Sequence, residues 1–202
     1  MEAIKTLKTK NKVLKIYQEE QPESPREWDN MGTMLCTHKR YNLGDEKENK
    51  EFDFDQYNNW DEVKEAIMKE NNVAVILPLF LYDHSGITMK TTPFGDRWDS
   101  GQVGFVYVTK EKLKEEYSVK RITKKLLQKA TEILINEVKT YDQYLVGDIY
   151  SFTVSALSKC NEGHEHENVI DSCGGFYGSD FATNGITDHI GDTDLIELLK
   201  NS

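Results

Sequence analysis

Cysteine and proline are scarce: the 202 residues hold three of the first and four of the second. Cys36, Cys160 and Cys173 form an odd set without a C-x-x-C pair, which argues against a secreted disulfide scaffold and suits a reducing compartment. The prolines are scattered, and there is no Pro-rich linker, low-complexity tract or internal repeat, so the chain reads as one domain, 1–202. Long hydrophobic runs are missing too. The longest, residues 73–82, falls far short of the ~20 residues that a membrane span needs. The N-terminal segment has lysines but neither an apolar leader core nor a small-residue cleavage site, so a cytoplasmic protein with no membrane partner is expected. The sequence also lacks HExxH, a P-loop, GxGxxG and a nucleophile elbow, which leaves catalysis without motif support.

What is present is 38% hydrophobic and 30% charged residues, the balance of a globular domain. At this length roughly 70% of the unfolded surface can be buried, so the fold needs no disulfide or metal to hold together. The formal net charge is −10, although Lys5, Lys8, Lys10, Lys12 and Lys15 make the N-terminus basic. An acidic surface repels nucleic acid, which is not an expected partner, and the N-terminal lysines are better explained as protection of an edge strand. The acids Asp45, Glu46, Glu48, Glu51, Asp53 and Asp55 are interrupted by Lys47 and Lys50 and read as a solvated loop.

Pattern gives the elements. Residues 3–18 read as a hairpin turning at Lys10, Asn11 and Lys12, and a short strand is expected at 33–37. Ser24, Pro25 and Glu27 place a capped helical turn before Trp28. Residues 42–59 read as a polar loop, and a helix is expected from Asp61 to about Asn71 with Val63 and Ile67 buried. The apolar run 73–82 predicts a central strand buried on both faces, with Pro78 demanding a bulge or a partial edge. Strands are expected at 87–90, 103–108, 148–158 and 169–173, and a terminal helix at 195–199. Ile122, Leu126, Leu127, Ala130, Ile133, Leu134 and Val138 recur at helical spacing and predict one long helix over about 122–139. The fold class is therefore α+β, an antiparallel or mixed sheet covered by that helix and shorter ones.

Four loops, at residues 24–30, 83–88, 98–104 and 141–150, combine Gly or other turn formers with Asp, Arg or His and an aromatic residue. Polar ligand pockets are made from such mixtures. The blocks SPREWDNMGTMLCTHKRYNLGD, LYDHSGITMKTTPF, WDSGQVGFVYVTKE, TYDQYLVGDIY and DSCGGFYG, in order from Tyr17 to Gly178, resemble the motif series of a family of hypothetical proteins encoded by bacteriophages, prophages and some archaeal viruses. The chain departs from that pattern at Gly174, where relatives often have Trp, and at Gly95, Asp96 and Arg97, where they often have Ser-Cys-Pro. The resemblance implies a small accessory protein in the host cytoplasm, which counteracts host defence by binding a defence protein or a nucleotide-like signal.

The expected ligand-binding residues are Arg26, Trp28, Arg40, Tyr41, Asp83, His84, Trp98, Asp99, Tyr141, Tyr144 and Asp148. Arginines suit phosphates and aromatic rings suit bases. The alternative is a small hydrolase or nuclease in which His84, Asp83 and Asp99 do acid–base work, with or without a metal. Cys160, His164, His166 and Cys173 are zinc-ligand types, but their spacing fits an acidic hairpin loop better than a zinc module. No cofactor is expected, and non-catalytic binding is the leading expectation.

Overall fold

The computed structural model describes residues 2–96 and 98–202; Arg97, one of the expected departures from the proteins that the sequence resembles, lies outside them. In chain order the elements are β1 (Lys5–Lys8), β2 (Lys12–Gln18), β3 (Thr33–Cys36), α1 (Glu46–Glu51), α2 (Trp60–Glu70), β4 (Val73–Asp83), β5 (Ile87–Lys90) and β6 (Ser100–Thr109). They continue with α3 (Lys110–Glu116), α4 (Lys124–Leu145), β7 (Ile149–Lys159), β8 (Glu165–Tyr177), α5 (Ile186–His189) and α6 (Thr193–Lys200), and single 3-10 turns occur at Pro25–Glu27 and Phe54–Gln56. The fold is α+β, as the pattern indicates, but with two four-stranded antiparallel sheets rather than one. No helix of the described residues is long and apolar enough to cross a membrane.

The chain forms two compact units: Ser24–Val146, and Met1–Glu23 together with Gly147–Ser202. No linker composition marks either junction. In the Ser24–Val146 unit the strand order is β3-β6-β4-β5. One core holds Met34, Leu79, Leu81, Val106 and Val108 with Ala130, Leu134, Val138 and Tyr141 of α4. A second gathers Leu35, Phe105 and Tyr107 with Val63 and Ile67 of α2. Complete burial of a side chain such as Leu134 contributes about 2 kcal/mol.

α4 is capped by the Thr123 hydroxyl, which accepts from Leu126 N–H, and runs six residues beyond the expected end because Tyr141 continues the buried stripe. α2 begins at Trp60, one residue earlier than expected, since Asn59 caps it. The expectation that β4 is buried on both faces is corrected: only Leu79 and Leu81 in it are fully buried. Pro78 pairs with Phe105 of β6, while β5 pairs only with Phe80–Asp83, so the missing proline N–H falls where β4 has a single neighbour. Residues 42–59 are not one loop, for they contain α1 and the Phe54–Gln56 turn. α1 escapes periodicity because it buries no residue; a Glu46–Lys50 pair one turn apart spans it at 2.6 Å.

In the other unit the order is β1-β2-β7-β8. The N-terminal hairpin has the expected form, with Leu7 opposite Leu14 and Lys5 opposite Ile16. Leu14, Ile16, Phe152, Val154 and Phe176 pack with Ile186, Ile190, Leu195 and Leu199. β8 is much longer than the expected 169–173 partner strand, because it tracks β7 almost to the Cys160 turn.

Candidate functional site

The Ser24–Val146 unit holds a groove of about 880 Å³, lined by the segments around Arg26, Tyr41 and α1 and by Tyr141 and Tyr144 of α4. Its wall is held by a buried ionic network. Arg26 sits in the turn that Ser24 caps, accepting the Arg26 N–H at 3.2 Å. Its side chain is only 5% exposed. The guanidinium donates through Nε to Asp45 Oδ1 at 2.6 Å and through Nη2 to Asp45 Oδ2 at 3.0 Å and the Gly32 carbonyl at 2.6 Å. Asp45 also accepts from Met34 N–H at 2.9 Å. Glu137, with an oxygen 3.8 Å from Arg26 Nη1, accepts from the N–H groups of Met31 at 2.6 Å and Gly32 at 3.0 Å.

Burial pushes the Glu137 carboxyl above its ordinary pKa, with the two N–H donors and Arg26 pulling the other way. A Cβ at position 32 would sit 2.8 Å from Glu137 Oε2 and 2.9 Å from Val106 Cγ2, and closer still to Leu134, so these side chains would have to shift to admit one. Arg26 lines the groove with its guanidinium already engaged by Asp45 and the Gly32 carbonyl. Its buried charge is already matched by carboxylates.

Tyr141 and Tyr144 stack with centroids 5.9 Å apart. The Tyr141 hydroxyl accepts from Gly44 N–H at 3.0 Å, and burial raises its pKa to about 12. It is an oriented neutral hydroxyl at neutral pH. Cys36 lines the groove too, and burial raises its thiol to about 12, which disfavours the thiolate. Trp28 stands on the rim, half exposed. Glu27, Asp29, Glu46 and Glu48 contribute carboxylates to the lining, against Lys47, Lys50 and Lys112.

Tyr41 belongs to this groove and also to a second cluster. Its ring stacks on His38 at 5.0 Å, and its hydroxyl donates to Asp83 Oδ1 at 3.2 Å. Arg40 lies 5.5 Å over the Tyr41 ring and pairs with Asp83 Oδ2. Asp83 N–H donates to the Asp99 carbonyl at 2.8 Å, and His84 Nδ1 lies 2.9 Å from Asp99 Oδ2. The loops at 83–88 and 98–104 therefore meet, because β4 and β6 are neighbours and Tyr82 pairs with Ser100. Tyr82 stacks with His84 at 6.1 Å and lies 5.6 Å from Phe94, whose ring carries the Lys90 ammonium at 4.1 Å. Trp98 is 96% exposed beside this cluster. Asp142 of α4 ties it down, accepting from Thr88 Oγ1 and Met89 N–H, both at 2.7 Å.

Asp148 belongs to the other unit, where it accepts from the Tyr150 hydroxyl at 2.8 Å and, with burial, raises that phenol to about 12. The zinc-type residues are spread out. Cys160 N–H bonds to the His164 carbonyl in the turn, His166 faces Ser158, and Cys173 faces Phe152. At ~3.3 Å per residue, His166 and Cys173 are about 20 Å apart along β8. Among the described residues no group of three or more His, Cys, Asp or Glu is placed to hold a metal.

Asp45 and Glu137, two of the carboxylates that organise the site, were not among the expected residues, whereas Asp142 lies in the expected 141–150 loop. Glu137 and Asp142 had a signal: they lie three and eight residues after Leu134, beside the apolar stripe of α4, where a carboxylate needs a partner. Asp45 had none beyond its acidic neighbours. Comparison of the chain with family models, curated proteins and solved structures returns no match.

Proposed function

We propose that the protein acts by binding rather than turnover, as a phage-type accessory protein in the cytoplasm of an infected cell, and that its target is a host defence protein held at the groove of the Ser24–Val146 unit. The observation that carries this choice over a nucleotide signal is the state of Arg26, which is buried and held by Asp45, so a phosphate would have to displace a carboxylate from it; Arg40, whose side chain is 66% exposed, makes only a surface pair with Asp83 that exchanges readily. The groove lining is polar and mixed in charge, with Trp28 on its rim and tyrosines along its wall, as befits a protein contact.

Native mass spectrometry of the protein from infected cells tests this. A stoichiometric protein partner, weakened by the Glu27→Lys/Glu48→Lys variant, supports it; a co-purifying nucleotide released on denaturation refutes it. A second reading rests on one contact, the His84–Asp99 pair, which leaves the other imidazole nitrogen available as a base. It requires that His84→Ala abolish a hydrolytic turnover while partner binding persists.

A further inference from the structure

We infer that the outer edge of β8 is a docking edge for an extended basic segment of a partner protein, which adds to the β1-β2-β7-β8 sheet as a further antiparallel or parallel strand. The inference rests on the sheet edge alone and does not depend on the groove.

The two edges of this sheet are built differently. β1 is four residues long and carries Lys5 and Lys8, a short and charged edge of the kind that resists pairing. β8 is thirteen residues long, contains no lysine, arginine or proline, and is exposed from Glu165 to Ser172. Within it Val169 is 64% and Ile170 is 55% exposed. Side chains of this kind on an edge strand are what an added strand covers. The ladder slips twice, between Tyr150 and Phe152 and between Val154 and Ser155; at the second slip Ile170 is the extra residue of a bulge, with paired runs from Glu165 to Val169 and from Asp171 to Cys173 on either side.

The charge on this edge selects its occupant. β8 carries Glu165, Glu167 and Asp171, and Glu162 lies in the preceding turn. Glu165 pairs with Lys8 and Glu167 with Lys15, the latter at 2.6 Å. Both are exposed surface pairs, which contribute little and exchange readily for a lysine or arginine on an incoming strand. A second copy is disfavoured by the same charges. Antiparallel self-pairing centred on Val169 sets Glu167 directly against Asp171 of the other copy, a destabilising arrangement. The edge thus repels itself and suits a strand that alternates basic with β-branched residues.

The test uses a short blocked peptide alternating lysine and valine, a control with glutamate in place of lysine, and the isotope-labelled full chain followed by amide NMR. The expected result is saturable shifts centred on residues 165–173 with a dissociation constant below about 1 mM, weakened at least about tenfold when salt is raised from about 50 to about 500 mM. The glutamate peptide should give no shifts. The Val169→Lys/Ile170→Lys variant should retain its melting temperature, because both side chains are exposed, and lose the peptide. Three results would each overturn the proposal: no shifts at about 1 mM, equal binding of both peptides, or binding retained by the variant. Concentration-dependent self-association that shifts the β8 amides without peptide would assign the edge to a second copy and also overturn it.

Discussion

Replacing Arg26 separates a scaffold role from a ligand-binding one. Arg26→Met keeps much of the side-chain volume but removes the guanidinium that neutralises Asp45 and faces Glu137, both largely buried. Breaking a buried ion pair from one side typically costs about 3–5 kcal/mol, because the remaining carboxylate is stranded. Asp45 keeps only the Met34 N–H from the main chain, so the upper part of that range is expected. Arg26→Lys should fall between, since an ammonium cannot make the paired Nε and Nη2 contacts to Asp45 while reaching the Gly32 carbonyl.

The assay is urea unfolding followed by tryptophan fluorescence. Trp28, Trp60 and Trp98 all lie in the Ser24–Val146 unit, so the signal reports that unit alone. Arg26→Met/Asp45→Asn should cost less than the sum of the two single variants, with a coupling of about 1–3 kcal/mol. A loss below about 1 kcal/mol for Arg26→Met, together with loss of partner affinity, would refute the scaffold assignment and return Arg26 to the ligand.

Gly32→Ala should destabilise the same unit by about 1–3 kcal/mol in the same assay, since its Cβ meets Leu134, Glu137 and Val106 at once. Because burial raises the Glu137 pKa, the folded chain holds that proton more tightly than the unfolded one. The stability from this group is present below its ordinary pKa and is lost as pH rises through the raised value, so Glu137→Gln should flatten that part of the stability–pH curve. Asp192 behaves oppositely. Its pKa is lowered by Lys12 and by the N–H groups of Leu195 and Asp194 at the start of α6, so its contribution is present above the ordinary value and lost as pH falls through the lowered one. Asp192→Ala should lower stability at neutral pH by about 1 kcal/mol, read by urea unfolding and far-ultraviolet circular dichroism, and leave little difference from the parent at the acid end. Asp142→Ala leaves the Met89 N–H and Thr88 hydroxyl without their acceptor and should cost about 2 kcal/mol in the fluorescence assay.

The elements that sequence patterning located are those whose residues alternate between an apolar and a polar face. α4, β2, α2 and β7 all carry such a stripe, and each lies within a few residues of its expected place, whereas β8, exposed from Glu165 to Ser172, has no such stripe and runs well beyond the expected 169–173. α1 could not be found that way, since Glu46–Glu51 has no apolar residue and owes its helix to chain connectivity and a surface ion pair. The division into two units is silent for another reason. Composition marks a flexible linker, but at Glu23–Ser24 and Val146–Gly147 the chain passes directly from one set of contacts to another. Nor does any local pattern announce two sheets. Strand pairing is non-local, and β2 finds β7 across more than half the chain.

The candidate site shows the same division between residue type and pairing. Arg26, Arg40, Asp83, His84 and Asp99 stood out as groups that are expensive to leave idle, and the structure engages every one of them. Their roles depend on partners 19, 43 and 15 residues away, respectively Asp45 for Arg26, Asp83 for Arg40 and Asp99 for His84. A sequence can name an arginine as phosphate-seeking, but the carboxylate that reaches it first is set by topology. Asp45 comes to Arg26 because Met34 and Gly32 are held beside it, with Asp45 Oδ2 on the Met34 N–H and the Asp45 N–H on the Met34 carbonyl. The same backbone hydrogen bonds that close the β3 edge therefore bring a carboxylate to Arg26.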